Sequence, residues 1–248
     1  MNSVSASKDN RPHIHMPKNF VAVLVLGLIL LGVCILASLV LGSRPITLPE
    51  LIDGLFHPDV DSYGANVVRK RVSRTVFSLF CGAALGVSGA LMQSVTRNPI
   101  ADPSILGVNT GASLFVVSGI AFLNISTANQ YIWLALAGAA VTAVFVFGIG
   151  SMGRGGATPI KLVLAGAATS AALSSLVTAI MIPRAYTMDQ FRFWQVGSVG
   201  SATWSGIATF LPFLVGGVLI AFMTAPALNA LALGDDVATG LGVRAGTM

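Results

Sequence analysis

From residue 103 to residue 153 the chain carries no Asp, Glu, Lys or Arg. That run is too long for one helix, and it constrains the fold more than any other feature. A helix that crosses a bilayer takes about 20 mostly apolar residues. The polar break Asn124-Ile125-Ser126-Thr127-Ala128-Asn129-Gln130 therefore divides the run into two such helices. Residues 19–43, 75–96, 162–183 and 193–234 are uncharged as well. The expectation is an all-α, polytopic transmembrane helix bundle with six spans, at about 19–43, 75–96, 104–123, 130–150, 162–182 and 204–224. Residues 1–18 form a polar tail before the bundle, and 225–248 a segment after it. Residues 193–203 are Gly/Ser-rich and read as interfacial or re-entrant. Trp194 and Trp204 suit an aromatic belt at its edges.

Composition agrees with lipid as the solvent. The 248 residues are 54% hydrophobic and only 9% charged, with a mean hydropathy of +0.83, whereas soluble domains carry about 25% charged residues. The net charge of +5 comes from 14 basic residues set between apolar runs, which excludes a nucleic-acid footprint. Cys34 and Cys81 both lie inside apolar spans, with no disulfide framework or metal spacing. His13, His15 and His57 sit in polar segments, so no metal ligand is expected. The first apolar run is too long for a cleavable signal peptide and should stay in the membrane. Charge does not orient the bundle. With the N-terminus inside, Lys8, Arg11, Lys18, Arg97, Arg154, Lys161 and Arg244 lie on one side. Arg44, Arg69, Lys70, Arg71, Arg74, Arg184 and Arg192 lie on the other.

No expected span holds an ionisable residue in mid-membrane. Proton relays and voltage sensors need such residues, so an ion-coupled carrier or gated channel is disfavoured. The chain has no GxxxxGK[ST] loop and no Ser/His/Asp constellation for hydrolysis. It is read as a non-enzyme with no catalytic residue, no cofactor and no bound metal of its own. Two stripes of small residues stand out: Gly82, Gly86 and Ala90 with Gln93 one turn beyond, and Gly166, Ser170, Ser174 and Thr178. Spacing by four puts each stripe on one helix face. Such faces let helices approach closely in lipid, or line a weakly polar path; both readings stand.

Three connecting segments carry polar patterning. Arg71 and Arg74, three apart, share a face of the helix that enters span two. They either snorkel to headgroups or dock carboxylates of a soluble partner. Arg97-Asn98-Pro99-Ile100-Ala101-Asp102-Pro103 reads as a short rigid loop, with Asp102 as N-cap and Pro103 at the first helical position. In the last segment Asp235 can cap a short helix whose positive end Asp236 suits. Val237, Ala238 and Leu241 give that helix an apolar face, and Gly242 ends it. It is either a juxtamembrane surface helix or a groove-inserting one.

These motifs, in this order, resemble the permease subunits of bacterial ABC importers for ferric siderophores, haem and vitamin B12. The resemblance rests on Arg71-x-x-Arg74, the run Gly82-Ala83-Ala84-Leu85-Gly86-Val87-Ser88-Gly89 with Gln93, and the 97–103 loop. It continues through Ile105-Leu106-Gly107-Val108 and Gly111-Ala112 to Leu233-Gly234-Asp235-Asp236 and Leu241-Gly242-Val243. It implies a multi-pass protein of the bacterial cytoplasmic (inner) membrane with a cytoplasmic N-terminal tail. Arg71 and Arg74 would face outward and meet acidic residues of a substrate-binding protein. Gly234, Asp235, Asp236, Ala238, Leu241 and Gly242 would couple the bundle to ABC ATPase subunits, which hydrolyse the ATP. Partners would be those ATPases, the binding protein, a second permease chain and membrane lipid, with no nucleic acid. Members of the family usually have ten spans, so six imply that about four are missing. The alternative is a non-transporting membrane fragment that at most binds the ATPase.

Overall fold

The computed structural model describes residues 19–96, 98–153, 156 and 158–232. Among them the chain is helical throughout: α1 (Phe20–Val40), α2 (Leu48–Phe56), α3 (Tyr63–Thr96), α4 (Val108–Leu123), α5 (Ala128–Ser151), α6 (Pro159–Met181), α7 (Ala185–Val196) and α8 (Trp204–Ala232). A single 3-10 turn, Pro103–Leu106, precedes α4. Two compact units divide within α3, one of residues 1–75 and one of residues 76–248.

The first unit is built on α1, whose only buried residue is Leu39. A helix apolar all round with nothing packed on it belongs in lipid. Arg71, near the start of α3, reaches the last carbonyls of α1. Between them α2 is started by a capping box in which the Thr47 hydroxyl and the Glu50 carboxylate serve each other's backbone groups.

In the second unit α4, α5 and α6 pack on one another and α7 lies on α4 and α6. Val116, Val117, Ile120, Ile125, Val177 and Phe191 form its buried core. The tightest crossing joins Gly111 of α4 to Gly138 of α5. A Cβ on Gly111 would lie 2.7 Å from the Gly138 carbonyl oxygen, and one on Gly138 would lie 2.9 Å from the Gly111 carbonyl carbon. Edge-on ring contacts tie α8 to its neighbours: Phe77 with Phe210 at 5.6 Å and Trp133 with Phe213 at 5.2 Å. The polar break at 124–130 works as read. Asn124 ends α4 in the left-handed region at φ 50°, and Thr127 and Gln130 form the capping box that starts α5.

The elements depart from the sequence expectation in four places. Among the described residues five helices are long and apolar enough to cross a membrane where six are expected, because α4, though apolar, has only 16 residues. At 1.5 Å per residue it spans about 24 Å. Gly107, left-handed at φ 71°, separates it from the 3-10 turn. Second, α3 starts at Tyr63, twelve residues before the uncharged run, since arginine side chains do not stop a helix. Third, a helix occupies 185–196, where Asp189 and Arg192 hid it from a reading based on charge-free runs. Fourth, α8 passes through Pro212 and Pro226 to Ala232. Pro226 leaves the Phe222 carbonyl without its helical donor, and next to it the Thr224 hydroxyl donates to the carbonyls of Ile220 and Ala221 at 2.9 and 3.1 Å.

The glycines differ sharply in what they permit. Gly138→Val should destabilise the bundle by about 1–3 kcal/mol, as overpacking does. Gly86→Ala should leave the chain's own stability unchanged, because nothing lies within 4 Å of a Cβ there. Thermal unfolding of the two variants in detergent checks this; equal midpoints would contradict the crossing.

Candidate functional site

The charged groups of the first unit gather where α1 ends and α3 begins. One guanidinium nitrogen of Arg71 donates to the Leu39 and Val40 carbonyls at 2.9 and 2.8 Å, and the other to the Arg44 carbonyl at 2.7 Å. These are orphan acceptors at a helix C-terminus, where a cation also suits the dipole. Arg71 is only 6% exposed. Gly42 makes the approach possible, since a Cβ there would lie 2.8 Å from the guanidinium carbon. Arg69 does the same for the loop before α3. It donates to the carbonyls of His57, Pro58 and Val60 at 2.8, 3.0 and 2.9 Å, and to Asn66 Oδ1 at 3.1 Å. Below Arg71, Thr75 Oγ1 donates to the Arg71 carbonyl and lies 2.8 Å from Ser38 Oγ.

The expected docking pair is thus divided. Arg71 is buried and gives three of its five N–H donors to carbonyls of the α1 end and the loop after it, so it acts as a staple between α1 and the start of α3. Arg74 is half-buried and already has an interaction of its own. Lys70, which the sequence reading passed over as a docking residue, is exposed one helical turn from Arg74. Arg44 is also outward, 4.8 Å from the Tyr63 ring and 3.1 Å from Glu50. The Thr47 backbone N–H and then its hydroxyl hold the Glu50 carboxyl below its ordinary value, with Arg44 adding to the effect. The cap is therefore present above the ordinary carboxylate pKa and is lost as pH falls through the lowered one.

At the other end, the Asn98–Pro103 loop is built as a rigid turn. Asn98 accepts from the backbone N–H groups of Ile100 (Oδ1, 3.1 Å) and Ala101 (its carbonyl, 3.1 Å). Asp102 caps the 3-10 turn, with Pro103 first in it, and accepts from the Ser104 backbone N–H at 2.6 Å and from its hydroxyl. The Ser104 hydroxyl, then its N–H, hold the Asp102 carboxyl below its usual range. The turn sits directly on α6, where a Cβ on Gly166 would lie 2.9 Å from Leu106 Cα. A Cβ on Gly107 would lie 2.8 Å from Ser170 Oγ. Gly166 and Ser170 therefore face the turn. Ser174 and Thr178 lie on the surface of the unit, with the Thr178 hydroxyl returned to the Ser174 carbonyl at 2.9 Å. Gly82, Gly86 and Gln93 are exposed along α3. Arg97 and the segment with Gly234, Asp235, Asp236, Ala238, Leu241 and Gly242 lie outside the described residues.

Among the hollows that open on the second unit are two apolar grooves, a polar cavity, and one of about 550 Å³ lined by Asp189, Arg192, Phe193, Val196, Gly197 and Ser198. The grooves, of about 260 and 310 Å³, lie between α3 and α8. The polar cavity, about 430 Å³, lies at the C-terminal end of α7, lined by Asn109, Ala112, Ser113, Trp194 and Gln195. Among the described residues no group of three or more His, Cys, Asp or Glu side chains could hold a metal ion.

Comparison with known proteins places this architecture. The chain is 39% identical to the ferric enterobactin transport system permease protein FepD of Escherichia coli over 225 residues, 90% of this chain and 67% of that protein. It is 39% identical to the iron(3+)-hydroxamate import system permease protein FhuB of Bacillus subtilis over 224 residues, 90% of this chain and 58% of that one. It spans 54 to 67% of the length of the first curated relatives it matches. A solved structure assigned to the metal-chelate type of ABC transporter, in an inward-facing conformation, shares the fold with a TM-score of 0.72 at 24% identity, over 92% of this chain and 70% of that one. The model of the FecCD transport family matches residues 29–248. With that match over most of its length and its long apolar helices, the chain is a multi-pass membrane protein that belongs to the FecCD transport family.

Proposed function

We propose that this chain supplies the membrane-spanning path of an ATP-driven importer for a ferric siderophore, or for haem or cobalamin, in the bacterial inner membrane. The observation that carries the reading is the family match over residues 29–248, because it runs from within α1 to beyond α8. The printed names of the relatives point to ferric chelates. Transport is by alternating access. Closure of separate ATPase subunits pushes on the segment from Gly234 to Gly242, α8 carries the push inward, and the path opens beside a second permease chain. The exposed faces of α3 (Gly82, Gly86, Gln93) and α6 (Ser174, Thr178) are the surfaces available to that path or partner chain. The rigid 98–103 loop, fixed to α6 through Gly166, moves with the bundle as one piece.

A substrate-binding protein docks at the charged corner of the first unit. Lys70 and Arg74 present the positive charge there, and Arg71 holds the corner in shape. A second reading is that the chain binds the ATPase without transporting.

Purification of the tagged chain from its own membranes tests both. Co-purifying ATPase and binding protein, with ATP-dependent uptake in proteoliposomes, is the expected result. An ATPase bound without any uptake would favour the second reading. At the corner, Lys70→Glu with Arg74→Glu should weaken binding-protein affinity about tenfold at low salt, and less at high salt. Arg71→Ala should instead lower stability by about 2–4 kcal/mol, by freeing three carbonyls at once. Affinity titrations and thermal melts of the variants separate the two. If Arg71→Ala kept full stability yet lost docking, the assignment would be reversed.

A further inference from the structure

We infer that the hollow along the last turns of α4 is a binding site for an anionic phospholipid, with one acyl chain in the hollow and the headgroup phosphate on Arg184. The hollow, about 420 Å³, is lined by Leu114, Phe115, Ser118, Phe122 and Leu123 of α4 with Leu134 of α5. Apart from the Ser118 hydroxyl these side chains are apolar. The inference needs only a chain embedded in a bilayer and does not depend on what it transports.

Topology sets the depth of the hollow. Helices α5 and α6 are each long and apolar enough to cross a membrane. The short link 124–127 ties the end of α4 to the start of α5. The chain then crosses along α5, turns, and returns along α6, which packs on both α4 and α5. Val177 of α6, Ile120 of α4 and Ile125 of the link belong to one buried core. The end of α4, the start of α5 and the end of α6 therefore meet at one membrane boundary. Arg184 follows α6 at this level, with its guanidinium carbon 4.9 Å from the centre of the Phe122 ring. From Leu123 back to Leu114 is about 14 Å along the helix. One leaflet of a bilayer with about 30 Å of hydrocarbon is about 15 Å deep. An apolar cleft one leaflet deep, with a cation at its mouth, matches a lipid chain beneath its own headgroup.

The chemistry of the mouth selects the headgroup. Arg184 is half-buried and gives one guanidinium N–H to the Ile180 carbonyl at 3.3 Å. Among the described residues no carboxylate is paired with it. Its remaining N–H groups are therefore open to an anion, while the Phe122 ring fixes the plane of the fork. A guanidinium so held suits a phosphate in two-pronged contact, and its apolar stem keeps the charge at headgroup level. No acidic side chain lines the hollow to receive an ammonium. A phosphatidylglycerol type of headgroup is thus favoured over a zwitterionic one. Leu114 and Leu134, partly buried against the core, form the inner end that the chain covers.

Native mass spectrometry of the whole chain from detergent, titrated with phosphatidylglycerol or phosphatidylcholine of identical acyl chains, tests the site. One phosphatidylglycerol should be retained about tenfold more tightly than phosphatidylcholine, as a hydrogen-bonded charge pair allows. Arg184→Gln should abolish that preference. Ser118→Leu, which fills the hollow, should weaken both lipids alike. Arg192→Gln, which removes the same charge from an exposed site on α7, should change neither. Equal affinity for the two lipids in the wild-type chain would overturn the site. So would a preference that survives Arg184→Gln, or one lost equally in Arg192→Gln. Displacement of the lipid by inorganic phosphate would reduce the site to a bare anion contact and overturn it as well. Should Arg184→Gln fail to fold, Ser118→Leu decides alone, and undiminished retention of both lipids would rule the site out.

Discussion

Between two helices in lipid there is no hydrophobic force to draw on, because acyl chains are as apolar as leucine. The bundle therefore depends on how closely backbones can approach. Gly111 and Gly138 set that distance for α4 and α5, each occupying the space a Cβ would need on the other. Gly166 does the same where the turn before α4 meets α6. These contacts fix the 3-10 turn, the start of α4 and the middle of α6 as one body. The polar cavity then opens at the edge of that body, where Asn109 and Ser113 emerge from it.

The first unit solves a different problem. A helix that ends at a membrane boundary leaves its last carbonyls without partners. Water can take them, but then the loop beyond is free to move. Arg71 takes two of them and a third from the loop, and Arg69 takes three more from the next connection. Charge-assisted hydrogen bonds are stronger than neutral ones, so the path of the chain from α1 to α3 is fixed by two side chains. The guanidinium fork suits this, since a lysine could not reach two directions with fixed geometry. A partner that docks here meets a preformed surface, and loses less conformational freedom on binding than it would on a flexible loop.

What the sequence made legible follows from what lipid demands. Uncharged runs located α1, the membrane part of α3, α5, α6 and α8, and Asp102-Pro103 announced its cap. The same criterion hid α7, because Asp189 and Arg192 interrupt the run, and it shortened α3 by its charged first turns. It could not choose between packing and path lining for the regularly spaced glycines. Gly82 and Gly86 have the regular spacing, yet nothing lies near them. Gly111 and Gly138, on different helices, form the close crossing. Spacing within one helix says which residues share a face, not which face meets a neighbour. Arg71 is the same lesson in charge: a residue type and an interval suggested a partner outside the chain, and the nearest acceptors were in the chain itself. The signal that favoured this was the seven-residue link from the uncapped end of α1 to α2, with arginines following soon after.

The polarity of the chain is thus arranged by depth and by duty. Arginines whose donors are engaged by backbone hold the shape of a surface, and the exposed Lys70 beside Arg74 gives that surface its charge. Along the long helices the hydroxyls of Thr96, Ser175 and Thr209 are returned to carbonyls of their own helix, so the polarity they carry asks nothing of a neighbouring helix or of lipid.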